Sequence, residues 1–144
     1  KPAVIRNPDA TRSWQHVMEP LSGYLVLAQR LVEEGPSYAE AWNFGPEERD
    51  ARSVAWIADR LVALWGEGAN WVQDGGSHPH EASYLKLDCA KAHARLGWWP
   101  ALGLDQALRF TVDWYRVHAQ GGDLRAITHR QIDDYAKLIN GFSA

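Results

Sequence analysis

The alternation of apolar and polar positions along the chain predicts five helices and a few short strands. Residues 2–6 read as a strand, stopped by the turn pair Asn7-Pro8. A first helix is expected to begin at Pro20, a residue favoured at the first helical position. Its inward stripe is read as Leu21, Tyr24, Leu25, Ala28, Leu31 and Val32, spaced three and four apart, with Gly35-Pro36 at its end. A short strand at Ala41 to Phe44 follows and stops at Gly45-Pro46. Ser53 is a good N-cap for a second helix running to Trp65, with Gly66 just beyond it. The stripe of that helix is Val54, Ile57, Ala58, Leu61, Leu64 and Trp65.

Two more short strands are expected at Asn70 to Val72 and at Tyr84 to Leu87. In the latter, Leu85 and Leu87 share one face while Tyr84 and Lys86 share the other. Asp88 is placed to cap a helix carrying Ala92 and Leu96, closed by Gly97 and Pro100. Leu104 to His118 forms a fourth helix. The capping-box pattern Thr128-x-x-Gln131 predicts the start of a fifth, with Ile132, Tyr135, Ala136 and Ile139 as its stripe. The fold class is therefore α+β and mainly helical, in a single domain spanning residues 1–144. Strands this short and scattered do not make a stable sheet alone. The chain also opens with "KPAVIRNP", almost inside a strand, and without Met. Both features lead us to expect a fragment whose first half is missing.

Composition narrows the function classes. The 144 residues carry 15 Lys and Arg against 18 Asp and Glu, so no basic stripe is available for a nucleic acid. The single cysteine, Cys89, allows no internal disulfide and fits a reducing cytoplasm. No apolar run approaches the length of a membrane span, and no signal-peptide pattern opens the chain. Eight tryptophans are many for this length, and core packing accounts for most of them. Trp14 is set apart because it lies in a polar connection, "RSWQHV".

Among chemistry-bearing clusters, "HPHE" places His78, His80 and Glu81 within four residues. No second cluster supplies further ligands at a recognisable spacing, so a metal site, a solvated loop and the polar lining of a pocket all stay open. His16 reads as a partner of a backbone group. Cys89 follows Asp88 at a helix start, where the positive end of the helix dipole is expected to lower its pKa. Serine nucleophile elbows and phosphate-cradling glycine loops are missing, and the chain holds no self-contained catalytic set. Arg12 offers a planar fork of donors suited to phosphate oxygens, and Trp14 lies two residues on. Clamping a pyrophosphate and forming a surface salt bridge beside a partly buried indole are both compatible with that pair.

At these residues the sequence resembles a known family. "IRNPDATRSWQHVMEPLSGYLVLAQRL", "AWNFGP", "HPHEASYLKLDCAKAHARLGWWP" and "TVDWYRVHAQGGDLRAITHRQIDDY" together resemble the C-terminal half of the CDP-glucose 4,6-dehydratases. These enzymes belong to the extended short-chain dehydrogenase/reductase superfamily, and the resemblance runs from Ala3 to Tyr135. It implies a lobe that binds CDP-glucose, without catalytic or metal-binding residues. NAD would be held by the chain's own N-terminal Rossmann half, which carries the glycine-rich motif and the Tyr-x-x-x-Lys pair absent here. The resemblance assigns Arg12 to the substrate phosphates, Trp14 beside them, and Ala3 and Ile5 to the nucleobase. His78 and Glu81 stand where relatives carry an Arg that meets phosphate and an Asp that meets ribose. Ser13 departs from the Pro usual at its position. For the whole enzyme the resemblance implies a cytoplasmic lyase, a homo-oligomer, with neither nucleic acid nor membrane as partner. It would convert CDP-glucose to CDP-4-keto-6-deoxyglucose by NAD-mediated internal redox and loss of water, for deoxysugars of surface polysaccharides. A sister dehydratase or epimerase using another nucleotide, and a stand-alone helical binding module, remain alternatives.

Overall fold

A computed structural model describes residues 1–76 and 82–141, the side chains of residues 140 and 141 excepted. Nine elements follow one another: β1 (Ala3–Ile5), β2 (Thr11–Ser13), α1 (Met18–Glu34), β3 (Ala51–Ser53), α2 (Val54–Trp65), β4 (Trp71–Gln73), α3 (Ala90–Leu96), α4 (Leu104–Ala119) and α5 (Leu124–Gly141), with short 3-10 turns at Gly35–Tyr38 and Glu48–Asp50. The mainly helical architecture with short strands is as the sequence predicts.

The strands form two separate pairs. β1 runs parallel to β4, with Val4 opposite Val72, and β2 runs antiparallel to β3, with Arg12 opposite Arg52. Neither β2 nor β3 is legible as a strand from its own three residues. The connection between β1 and β2 docks on the start of α2: the Val54 amide donates to the Ala10 carbonyl at 3.0 Å and the Ala55 amide to the Pro8 carbonyl at 2.8 Å. Ser53 Oγ accepts from the Trp56 amide, so α2 has the N-cap expected of it. The first amides of α2 are thereby satisfied within the fold.

Among the described residues, three apolar clusters make up the core. Phe44, Ala92, Leu96 and Trp98 join α1 to α3, with Val26, Leu27, Tyr38 and Trp42 around them. Ile57, Leu104 and Leu108 join α2 to α4, with Trp14, Leu61 and Leu64 packed against them. Leu102, Ala107 and Tyr135 join α4 to α5. Three indole N–H groups in and around this core find acceptors: Trp42 on the Tyr38 carbonyl, Trp98 on Ser22 Oγ and Trp114 on Thr128 Oγ1.

Several local expectations are corrected. Helix α1 starts at Met18, two residues before Pro20, and Gly35 at φ 75° ends it. Its predicted inner stripe faces outward: Leu25 is 73% exposed and Val32 87%, with Leu21, Tyr24 and Leu31 exposed beside them. The buried side carries Glu19 and Gly23, flanked by Val26 and Leu27. Gly23 lets the Phe44 ring close on the helix, where a Cβ would collide with it. Residues 41–44 are not a strand, and side chains take up backbone groups there: Gln15 Nε2 donates to the Phe44 carbonyl and Lys91 Nζ to the Ala41 carbonyl. Residues 84–87 form only an isolated parallel bridge, Thr11 with Tyr84. Helix α5 begins at Leu124, where Asp123 Oδ1 accepts from the Ala126 amide, and Thr128 is internal to it. Its buried face is Ile127, Gln131 and Tyr135, while Ile132 is exposed.

Candidate functional site

The residues singled out in "RSWQHV" are presented by β2 and the segment leading into α1. Arg12 is half-buried, and its Nη1 donates to the Thr11 carbonyl at 2.9 Å. The register places Arg52 directly opposite it. Facing residues of an antiparallel pair project to the same side with Cβ atoms roughly 5 Å apart, so two guanidinium stems leave the sheet together. The Arg52 guanidinium lies 5.6 Å from the centre of the Trp56 ring. Like charges directly opposite one another weaken a strand pair, and an anion between them reverses the sign of that interaction.

Trp14 is tied down on two counts. Its Nε1 donates to the Arg52 carbonyl at 2.9 Å, and its ring packs on the cluster of Ile57, Leu104 and Leu108. The indole therefore locks β2 to β3 and to the α2–α4 pair. His16 holds the connection, as its sequence position suggests: its Nδ1 accepts from the Met18 amide at 3.3 Å and its carbonyl accepts from the Glu19 amide at 3.0 Å. Its ring meets Phe110 edge-on at 5.7 Å between centroids. Burial lowers the His16 pKa, which keeps the imidazole neutral and its Nδ1 free to accept.

The other sequence candidates fall in different places. Ala3 and Ile5 belong to the separate β1–β4 pair, Ala3 exposed and Ile5 partly so. They are linked to Arg12 through the Pro8–Ala10 turn that docks on α2. His78 and Glu81, with the neighbouring His80, lie outside the described residues. The chain is described again from Ala82, and Ser83 accepts from the Thr11 amide at 2.9 Å, next to Arg12. Cys89 is buried, and that burial pushes its thiol pKa up, which overrides the lowering expected from its place at a helix start.

Sequence reasoning missed two groups around this sheet. Arg52 is set opposite Arg12 by a pairing across 40 positions, a register no local pattern encodes. Lys86 reaches over the Tyr84 ring at 4.9 Å and pairs with Glu48 at 2.5 Å, and this raises its pKa. Lys86 and Glu48 line a shallow cleft of about 370 Å³ together with Ser13, Pro46, Ala51 and Asp88. A larger open cleft of about 840 Å³ lies between α1, the turn at Glu47 to Asp50, the 97–103 segment and Ile139 of α5; it shares Glu47 with the first and does not include Arg12 or Trp14.

Beneath that larger cleft sits a buried carboxylate. Glu19 is 1% exposed and accepts from the amides of Ala101 and Leu102 and from the Tyr135 hydroxyl at 2.9 Å. Burial pushes the Tyr135 hydroxyl pKa well up, so it stays a donor. This knot fixes the start of α1, immediately after "RSWQHV", against α4 and α5.

Among the described residues no group of three or more His, Cys, Asp and Glu side chains is placed to hold a metal ion, and no helix is long and apolar enough to cross a membrane. Among the described residues, the start of α2 does not offer NAD a phosphate site. The sequence has neither a glycine-rich phosphate loop nor a Tyr-x-x-x-Lys pair, and the N-terminal amides of α2 are already bonded within the fold.

The resemblance read from the motifs is borne out by comparison with known proteins. A CDP-glucose 4,6-dehydratase of Salmonella typhimurium is 52% identical over 132 residues, which cover 92% of this chain and 37% of that protein. A dTDP-glucose 4,6-dehydratase of Haemophilus influenzae is 53% identical over 111 residues, covering 72% of this chain and 32% of that one. The chain thus spans about a third of the length of the curated relatives it matches. No family model matches it. Among solved structures, RMD from Pseudomonas aeruginosa complexed with NADPH superposes with a TM-score of 0.62 at 21% identity, over 78% of this chain and 35% of that one. That likeness concerns the fold alone.

Proposed function

We propose that the chain is the C-terminal, nucleotide-sugar-binding part of a CDP-glucose 4,6-dehydratase of the extended short-chain dehydrogenase/reductase superfamily. The observation that carries the reading is the 52% identity to a CDP-glucose 4,6-dehydratase across nearly the whole chain. The complete enzyme, a cytoplasmic homo-oligomer, converts CDP-glucose to CDP-4-keto-6-deoxyglucose. NAD is bound by a Rossmann half outside these residues, and the 144-residue chain alone is inactive.

In this reading Arg12 grips the diphosphate, supported by its fork of donors and by the second guanidinium brought opposite it. Trp14 fixes the strand that carries Arg12, by its bond to the Arg52 carbonyl, and walls the site on that side. Ala3 and Ile5 line the nucleobase, Glu81 accepts from the ribose hydroxyls, and His78 replaces an arginine as a phosphate donor. Holding the remote nucleotide orients the sugar for chemistry in the other lobe, which is where binding energy assists catalysis.

The test is to incubate the complete polypeptide with CDP-glucose and NAD and follow loss of water from the sugar nucleotide by mass spectrometry. Formation of the 4-keto-6-deoxy product supports the reading, and an unchanged substrate opposes it. The similarity to a dTDP-glucose 4,6-dehydratase favours a second reading in which thymidine replaces cytidine. Competition among CDP, dTDP, UDP and GDP separates the two.

A further inference from the structure

Several cations of this molecule lie over aromatic rings, and most of them are also spent on another partner. Lys86 over Tyr84 is bonded to Glu48, and Lys91 and Arg95 over Trp42 are both bonded to Glu40. Arg116 over Trp65 donates to the Leu64 and Trp65 carbonyls at the end of α2. Arg52 is held differently. It is exposed, its Nη1 donates to the Ala51 carbonyl at 3.3 Å, and its guanidinium lies over the Trp56 ring at 5.6 Å from the centre. Among the described residues no carboxylate pairs with it.

Position decides what such a charge can meet. Arg52 faces Arg12 across the β2–β3 pair, so the two stems leave the same side of the sheet. The ring is brought there by the helix cap: Ser53 Oγ accepts from the Trp56 amide at 3.2 Å, which sets the first turn of α2 directly against β3. Contact with a ring face takes up none of the guanidinium's N–H donors, so they stay available to phosphate oxygens. A carboxylate in the place of the ring would have to be displaced by each incoming phosphate.

We infer that Trp56 is a positioning residue of the diphosphate site, whose ring holds the Arg52 guanidinium on the Arg12 side of the sheet as the second arm of an arginine clamp. This rests on the functional reading above, which puts the diphosphate at Arg12. Trp56 acts through Arg52 and does not touch the ligand. What it spares is the ordering of one long side chain at the moment of binding, and losing that help weakens affinity by about twofold to tenfold.

The test is calorimetric titration of CDP into the complete polypeptide, as wild type, Trp56→Leu, Trp56→Phe, Arg52→Gln and the double variant Trp56→Leu with Arg52→Gln. Trp56→Leu is expected to bind about twofold to tenfold more weakly, and Trp56→Phe, which keeps a ring, to stay close to wild type. In the Arg52→Gln background Trp56→Leu is expected to add nothing, because the side chain it positions is gone. Unchanged affinity in Trp56→Leu, equal losses from the Leu and Phe variants, or the same loss in both backgrounds overturns the inference. A second readout leaves Trp56 in place. With 5-fluorotryptophan incorporated, its fluorine resonance, assigned by its absence from Trp56→Phe, is expected to move when CDP is added to wild type and to move less in Arg52→Gln; equal movement in both, or none, also overturns the inference. If CDP-glucose is converted while Trp56→Leu binds CDP as wild type does, the inference falls alone. If inorganic pyrophosphate reproduces the expected pattern while CDP-glucose stays unconverted, the functional reading falls and the clamp stands.

Discussion

Arg12 and Arg52 stand directly opposite each other across the β2–β3 pair, and Trp14 clamps the Arg52 carbonyl beside them. Besides the bond from its Nη1 to the Ala51 carbonyl, two small opposed terms act on Arg52. Its charge opposes that of Arg12, at a cost of roughly 0.2–1 kcal/mol. Its contact with Trp56 returns roughly 0.5–1 kcal/mol. Arg52→Gln should therefore move the unliganded stability little. What it should reduce, severalfold, is the affinity for CDP, read as a smaller CDP-induced rise in the thermal midpoint. An undiminished rise would remove Arg52 from the anion site.

Glu19 is the buried acceptor for two amides and one phenol, so removing it strands all three donors. Breaking a buried charged network of this kind costs about 3–5 kcal/mol. Glu19→Ala should approach that range in urea unfolding of the complete polypeptide. Tyr135→Phe, which removes one donor and its bond to Ser22, should cost about 1–2 kcal/mol. Equal effects from the two variants would show that the carboxylate is not the centre of the knot.

Gly23 is where the inner face of α1 meets Phe44. The Cβ of Gly23→Ala would collide with a ring that is itself held edge-on by Trp98 at 5.1 Å. Overpacking of this sort costs about 1–3 kcal/mol, which outweighs the roughly 1 kcal/mol that alanine gains over glycine in a helix. Unfolding should show a net loss of stability; a gain would mean that Phe44 swings away freely.

His16 contributes stability that depends on pH. Its folded pKa is lowered by burial, so its contribution is complete above the unfolded value of about 6.5. It is lost as pH falls through the lower folded value, because protonation abolishes the Nδ1 acceptor for the Met18 amide. His16→Asn, which keeps an acceptor and does not titrate, should flatten the fall in stability below about pH 6.5 relative to wild type. Parallel pH profiles for the two proteins would assign the dependence to other groups.

How much of this was legible in the sequence depends on the range of the interaction. Helix α2 was read nearly to the residue, because its stop and start signals, Ser53 and Gly66, lie within its own stretch. Helix α1 was found, but its inward side was reversed. Periodicity tells which residues share a face, and with apolar residues on both sides it does not tell which face turns in. The choice fell to Gly23, whose missing side chain admits Phe44, and to a carboxylate whose acceptor role is set by Ala101 and Leu102, some 80 positions away. The strands expected at 2–6 and 70–72 are present as β1 and β4, whereas β2 and β3 escape the sequence for a related reason. Three residues carry little pattern, and β2 gains its identity only from β3 and from the Tyr84 bridge. Arg12 was singled out from its chemistry and neighbours, whereas Arg52 became visible only through register.

The measurement that bears most directly on the central claim is calorimetric titration of CDP-glucose into the complete polypeptide, as wild type, Arg12→Ala and Arg12→Lys. Loss of hydrogen bonds to a charged phosphate costs about 1.5–3 kcal/mol, so Arg12→Ala should bind about tenfold to a hundredfold more weakly. Arg12→Lys, which keeps the charge and loses the fork, should fall between, with thermal midpoints showing all three proteins folded. Equal affinities in the three proteins would contradict the assignment of the diphosphate to this strand.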